Sequence, residues 1–198
     1  MKNIFTLLVI LICVVCCLPP AANAAAKVGD VIEFGDWNWR VLDVQDGKLL
    51  IITENSIEQR PYNVEQKEVT WETCTLRKYL NGEFYAKFSK EEQGRIAETK
   101  ISNPNNPEHG ANGGNDTTDK IFLLSIEEAR KYFSSDSARI AKYNNATWYW
   151  WLRSPGHDSL TAASVDYDGN VYVYGDAVHD IKSGPYGGVR PALFLEVK

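Results

Sequence analysis

The chain has 198 residues, 44% of them hydrophobic and 24% charged, with 21 Lys and Arg against 26 Asp and Glu and a formal net charge of −5. A mildly acidic balance of this kind excludes an electrostatic grip on an anionic membrane or on nucleic acid, and no nucleic-acid partner is expected. Three of the four cysteines lie within the first 17 residues, which excludes an internal disulfide framework for the rest.

Residues 1–24 carry Lys2 as their only charge, then an apolar run from Ile4 to Leu18, then Pro19-Pro20 and the small-residue end Ala22-Asn23-Ala24. This is the layout of a cleavable secretory signal, with cleavage expected after Ala24. The apolar run, roughly 15 residues, is shorter than the ~20 a spanning helix needs, so no stable membrane span is expected after cleavage. The protein is expected to be secreted or periplasmic, with residues 25–198 forming one domain. Loss of Lys2 moves the formal charge from −5 to −6. Cys74 is then the one remaining thiol, either buried as a small apolar residue or free to pair between chains.

From Val28 to Asn63 the pattern is strand and turn. Val31, Phe34, Trp37, Trp39, Val41 and Val44 are interrupted by Gly35-Asp36, and Asp46-Gly47 precedes Leu49-Leu50-Ile51-Ile52, which predicts a hairpin. The period then changes. Trp71, Leu76, Tyr79 and Leu80 fit a short helix begun near Thr70 or Thr73 and ended by Asn81-Gly82. Capping boxes at Ser89 with Glu92 and at Ser125 with Glu128 open two more helices, the first expected to run to about Ala97. In the second, Ile126, Ala129, Arg130 and Phe133 lie on one side.

Between these helices, residues 103–120 are polar and rich in Asn, Asp and Gly, with almost nothing to bury. So long a loop inside a compact domain is functional or disordered. Glu108, Asn115, Asp116 and Asp119 offer oxygen ligands of the kind Ca²⁺ takes, although the spacing is not that of an EF-hand. The same residue types are the ordinary material of self-hydrogen-bonded turns. Ca²⁺ is the one cofactor this chemistry raises.

The last third is β again. Three of the six tryptophans fall in Trp148-Tyr149-Trp150-Trp151, followed by Leu152-Arg153 and the turn residues Ser154-Pro155-Gly156. The four aromatics offer a stacking platform for a sugar or peptide, but because alternate residues of a strand face opposite sides, Trp148 and Trp150 are expected on one face and Tyr149 and Trp151 on the other, with at least one pair in the core. Ala163, Val165 and Tyr167, the turn Asp168-Gly169-Asn170, and Val171 and Val173 predict a hairpin. At the end, Val189, Pro191, Leu193, Leu195 and Val197 alternate with Arg190, Ala192, Phe194 and Glu196 as one strand, expected to lie beside the tryptophan-dense stretch in a common sheet.

The polar candidates carry two readings each. Arg153 and Arg190 either meet a ligand carboxylate or stack on tryptophan and pair with an internal acid. His157-Asp158 and His179-Asp180 form a metal or acid/base pair if their loops converge, and otherwise are solvated loop polarity. Trp148, Trp150, Trp151, Arg153, His157, His179 and Arg190 are the candidate ligand-binding residues, with no catalytic residue assigned.

The W-W-L-R-S-P-G stretch at residues 150–156, the hairpin with Asp168-Gly169 and the closing G-V-R-P-A-L at 188–193 resemble an uncharacterised family of exported bacterial domains. Trp39, Val41 and Leu42, and the G-N-D-T-T-D-K-I-F-L-L-S segment at 114–125, are similar to it too. More distantly, the Gly-x-Arg-Pro ending resembles the C-type-lectin-like fold shared by formylglycine-generating enzymes and by the variable proteins of diversity-generating retroelements. That resemblance implies an α+β domain with paired N- and C-terminal strands, two to three short helices and loops that carry a binding surface. The oxidase chemistry does not transfer, because it uses a cysteine pair and this chain keeps Cys74 alone. Nor does the Ca²⁺-dependent sugar site, since no Trp-Asn-Asp strand is present. The expectation is an exported module that binds a carbohydrate or protein of the envelope or extracellular space. A hydrolase or oxidase using His157 and His179, and a structural envelope protein, are the alternatives.

Overall fold

A computed structural model describes residues 26–179 and 186–197. The expected signal segment lies outside these residues, as do Asp180 and Lys182. Among the described residues no helix is long and apolar enough to cross a membrane.

The chain is α+β. In order it forms β1 (Val31–Phe34), β2 (Trp37–Gln45), β3 (Lys48–Thr53), β4 (Glu58–Gln59), α1 (Thr75–Tyr79), α2 (Lys90–Gln93), β5 (Thr99–Ile101), β6 (Thr117–Asp119), α3 (Ile126–Tyr132), α4 (Asp136–Arg139), β7 (Ala141–Tyr143), β8 (Ala146–Trp148), β9 (Trp150–Pro155), β10 (Thr161–Val165), β11 (Val171–Ala177), β12 (Gly188–Val189) and β13 (Ala192–Glu196). Two sheets dominate, one ordered β1-β2-β3-β13 and the other β11-β10-β9-β12-β4, with two small ribbons β5-β6 and β7-β8.

Local chemistry sets the hairpins. Asp46 and Gly47 both take positive φ, 49° and 73°, as a tight turn between β2 and β3 requires. Gly169, at φ 86°, does the same between β10 and β11. Both capping boxes form, at Ser89 with Glu92 and at Ser125 with Glu128. The helix from Ser89 stops at Gly94 rather than near Ala97, because Ile96 and Ala97 are drawn onto the edge of β13, where Ala97 N donates to Phe194 O at 2.9 Å. The first helix starts at Thr75 with Cys74 as its cap, and Asn81-Gly82 does not end it. The chain continues through a π turn over Leu80–Phe84 and a 3₁₀ turn over Tyr85–Lys87. Asn81 instead accepts from Lys120 N (2.8 Å) and Ile121 N (3.2 Å) and donates to Ile121 O (2.8 Å), so its amide stitches the helix to a distant segment.

The terminal stretch departs from the single strand its alternation predicts. Gly188 and Val189 pair in parallel with β9, Gly188 opposite Trp150, as expected of neighbours in one sheet. Arg190 and Pro191 then carry the chain across to the other sheet, where β13 lies antiparallel to β3 with Ala192 opposite Ile52. Pro191 has no N–H for a ladder, and the strand breaks there. The N-terminal hairpin and the C-terminal strand therefore do pair, while Arg190 is 1% exposed at the crossing. In β9 all six residues are buried, so the expected alternation of core and surface fails. The strand is covered on both faces, and the division falls between half-buried Trp148 and Tyr149 and fully buried Trp150 and Trp151.

Candidate functional site

An open cleft of about 760 Å³ lies between three segments, residues 68–73 ahead of α1, residues 109–115 of the long loop, and residues 157–159 of the turn from β9 to β10. A backbone bond ties the first segment to the third, and close packing with a side-chain bond from Asn115 to Glu72 (3.0 Å) ties the second to the first. Val69 N donates to Ser159 O at 3.0 Å. Gly114 lies so close to Thr70 that a Cβ there would come within 2.6 Å of its hydroxyl, and a Cβ on Gly113 would come within 2.2 Å of Asn103 O. Glycine is needed at both for this close approach.

The long loop is not a loose excursion. Asn106, 2% exposed, donates from Nδ2 to Pro155 O (3.0 Å), Gly156 O (2.9 Å) and Val173 O (2.8 Å), while its Oδ1 accepts from Glu108 N (2.9 Å) and His109 N (3.0 Å). One amide thus fastens the loop to the end of β9 and to the interior of β11, and fixes where His109 stands. The sequence singled out no role for Asn106, because Asn in an Asn-Pro-rich loop reads as turn material.

His157 is held by its backbone N, which donates to Tyr174 O at 2.8 Å, and its ring stacks on Tyr174 at 3.8 Å with 11° between planes. His109 meets Tyr174 edge-on at 5.6 Å and lies 6.5 Å from His157. Tyr174 and its neighbour Tyr172, 6.3 Å away, are exposed, so an aromatic ridge runs beside the loop. Both ring nitrogens of His157 are engaged, Nδ1 by Tyr174 O (3.1 Å) and Thr161 Oγ1 (3.2 Å), Nε2 by Asp158 Oδ2 (3.3 Å). The remaining lining is Glu68, Glu72, Asp158, Thr70, Thr73, Asn112, Asn115 and Ser159 with small residues and, among the described residues, no Lys or Arg. The cleft is therefore weakly acidic and dense in hydrogen-bonding groups. Among the expected ligand-binding residues His157 belongs to it. His109, Glu68, Glu72 and Tyr174 were not singled out, and only long-range pairing reveals them.

The other expected site residues are used by the fold. Trp150 and Trp151 are buried, their indole N–H groups donating to Arg139 O (3.0 Å) and Arg60 O (2.8 Å), so they present no face to a ligand. Arg153 pairs with the Glu128 carboxylate and donates to Leu123 O (2.8 Å) and Ser102 O (3.0 Å), which locks the cap of α3 to β9. Arg190 has no carboxylate in contact among the described residues. It donates to Thr53 O (2.8 Å), Arg139 O (3.2 Å) and Glu54 O (3.1 Å), and lies over Trp150 at 4.9 Å and Phe133 at 5.2 Å. Burial lowers its guanidinium pKa to about 10 although nearby Glu54 opposes the shift. Trp148 is half-buried against Tyr149 and Tyr167, and donates to Tyr186 O at 3.1 Å. His179 is half-buried with Nδ1 3.3 Å from Asn63 O, and does not line the cleft.

The four expected calcium ligands do not converge. Asp119 is buried and accepts from Trp71 Nε1 (2.9 Å), Arg77 Nε (2.6 Å) and Thr117 Oγ1 (2.8 Å), so its carboxylate is spent on an internal cation and an indole. Glu108 pairs with Arg130 at 2.9 Å, Asp116 with Lys100 at 3.4 Å, and Asn115 donates to Glu72 at 3.0 Å. Among the described residues no three His, Cys, Asp or Glu side chains gather as a metal ion would need.

Fold and site together define an α+β module whose loops enclose an open, polar, aromatic-edged cleft. A family model for a domain of unknown function, DUF6273, matches residues 46–197, and the chain belongs to that family. No curated protein and no solved structure matches it.

Proposed function

We propose that this protein is an exported ligand-binding module that takes a hydroxylated ligand, a carbohydrate, in the cleft between residues 68–73, 109–115 and 157–159. The observation that carries the reading is the His157–Tyr174 stack, 3.8 Å apart, with His109 edge-on, beside a cleft lined by amides, hydroxyls and carboxylates. Aromatic rings give sugar C–H faces something to pack on, and mixed donors and acceptors fix their hydroxyls. About 760 Å³ falls within the ~300–1,000 Å³ usual for small-ligand sites. Among the described residues the lining holds three carboxylates and no Lys or Arg, which speaks against an anionic ligand.

Export is supported by the signal-like residues 1–24, and action in the envelope or outside the cell follows from it. A C-type-lectin-like arrangement is supported by the pairing of β3 with β13 and by the loops that carry the cleft. The enzyme reading has less support. His157 has both ring nitrogens engaged within the protein, and a general base needs one free to reach its substrate. A glycan and envelope-polymer array tests the reading, and binding that His109→Ala weakens about tenfold or more is expected, a loss of about 1.4 kcal/mol. Binding to proteins and to no glycan would refute the carbohydrate reading.

A further inference from the structure

A second cavity, of about 450 Å³, lies between β2 and the chain that runs from the end of α3 through α4 to Ile140, and it shares no residue with the cleft. Val41, Leu42, Phe133 and Ile140 give it apolar walls, and Val28, Ser134, Ser137 and Ala138 stand exposed at its mouth. Its charged members among the described residues are Arg40, Glu54 and Arg190. Arg40 holds the Glu54 carboxylate through both Nε and Nη2, so those two charges cancel. Arg190 is left over, a cation 1% exposed that meets three carbonyls and no counter-charge.

It is the guanidinium end of Arg190 that reaches this cavity. Its chain neighbours Val189 and Pro191 take no part in the lining. Glu54, whose carbonyl accepts from Nη2 at 3.1 Å, and Phe133, whose ring lies 5.2 Å from the guanidinium carbon, both do. A guanidinium has five N–H groups. Nε and one N–H of each terminal nitrogen are spent on the Thr53, Arg139 and Glu54 carbonyls, which leaves one N–H on Nη1 and one on Nη2 without an acceptor among the described residues. Two such N–H groups suit the two oxygens of a planar carboxylate. Burying a charge without a counter-charge is costly, and carbonyl dipoles and the flanking rings offset only part of it. The fall of the Arg190 pKa to about 10 on burial reflects what they leave uncompensated.

We propose that this cavity binds a small organic acid, its carboxylate against Arg190 and an aromatic or branched aliphatic body between the apolar walls. The volume falls within the ~300–1,000 Å³ usual for small-ligand sites. Because Arg190 shows so little surface, only the end of a ligand meets it, which fits a single carboxylate and not a polyanion. The proposal rests on no part of the carbohydrate reading.

Trp150 reports on the site, since its ring lies 4.9 Å from the guanidinium and its N–H shares the Arg139 carbonyl with Nη1. The test titrates phenylacetate and 4-methylpentanoate, and separately the amides of both, into isotope-labelled protein while the Trp150 indole N–H resonance is followed, assigned through its proximity to Phe133. At least one acid is expected to move the signal saturably, with a Kd of about 1 mM or below, and its amide to bind at least about tenfold more weakly. Glu54→Gln removes a carboxylate from the lining and keeps the backbone carbonyl, and is expected to tighten acid binding about threefold. Ala138→Trp fills the mouth without removing a polar group, and is expected to weaken it about tenfold or more. Failure of both acids to move the Trp150 signal overturns the proposal, and so does an amide that binds as tightly as its acid. Acid binding that Ala138→Trp leaves intact, or that Glu54→Gln weakens, overturns it too, because the acid would then sit elsewhere.

Discussion

Replacing Asn106 by alanine removes three donated and two accepted hydrogen bonds from a buried amide. Its NH₂ has two protons for three carbonyls, so the set is worth about four full bonds, each contributing about 0.5–1.5 kcal/mol net. The Pro155, Gly156 and Val173 carbonyls would lose this partner. We expect Asn106→Ala to cost about 3 kcal/mol, which in a domain of this size lowers Tm by roughly 6–12 °C. Urea unfolding followed by tryptophan fluorescence measures the first quantity and calorimetry the second. The same variant should release His109 from Tyr174, seen as loss of the ring-current contribution to the His109 resonances. A loss below about 1 kcal/mol with His109 still against Tyr174 would refute the assignment of Asn106 as the loop's anchor, since one ordinary bond accounts for that much.

Arg190→Ala gives up three charge-assisted bonds worth about 1.5–3 kcal/mol each but recovers a desolvation cost of about 3 kcal/mol, the equivalent of lowering its pKa from 12.5 to about 10, so a net loss of about 3 kcal/mol is expected in urea unfolding. Unchanged stability would contradict the structural role. Gly169→Ala should cost about 2–5 kcal/mol, because its φ is 86° and a Cβ would fall 1.8 Å from Asp136 O, whereas Gly47→Ala, with positive φ but open space, should cost about 1–2 kcal/mol. Equal losses in thermal unfolding would show that the close approach is absent. Burial pushes the Cys74 thiol up to about 12 against about 9 in the unfolded chain. The fold therefore keeps a proton that the unfolded chain gives up, so this contribution to stability is whole below pH of about 9 and is lost as pH rises towards about 12. Cys74→Ala should flatten that alkaline fall, and the native thiol should resist alkylation at neutral pH. Rapid labelling of folded protein would contradict its burial.

The elements written in short-range chemistry were legible beforehand. Asp46-Gly47 and Asp168-Gly169 specify their turns whatever surrounds them, and Ser125 with Glu128 closes its own capping box. What the sequence misled about depended on partners far along the chain. The alternation from Val189 to Val197 reads as one strand, yet Pro191 breaks it and two different sheets claim the halves. Trp150 and Trp151 are neighbours that both become buried, because β9 is enclosed on both faces, and alternation holds only for a strand with one wet side. Asp119 reads as a loop carboxylate open to calcium until Trp71 and Arg77, more than 40 residues away, are seen to occupy it. His157 was legible as a candidate, but its companions His109 and Tyr174 come from segments 48 positions before and 17 after it, and Asn106 and the strand register bring them together.

Calorimetric titration of the glycans selected on the array into the protein and into its His109→Ala and Tyr174→Ala variants tests the carbohydrate cleft most directly. A saturable heat that both variants weaken about tenfold or more is the predicted result. No glycan giving any heat, or affinities identical in all three proteins, would contradict it.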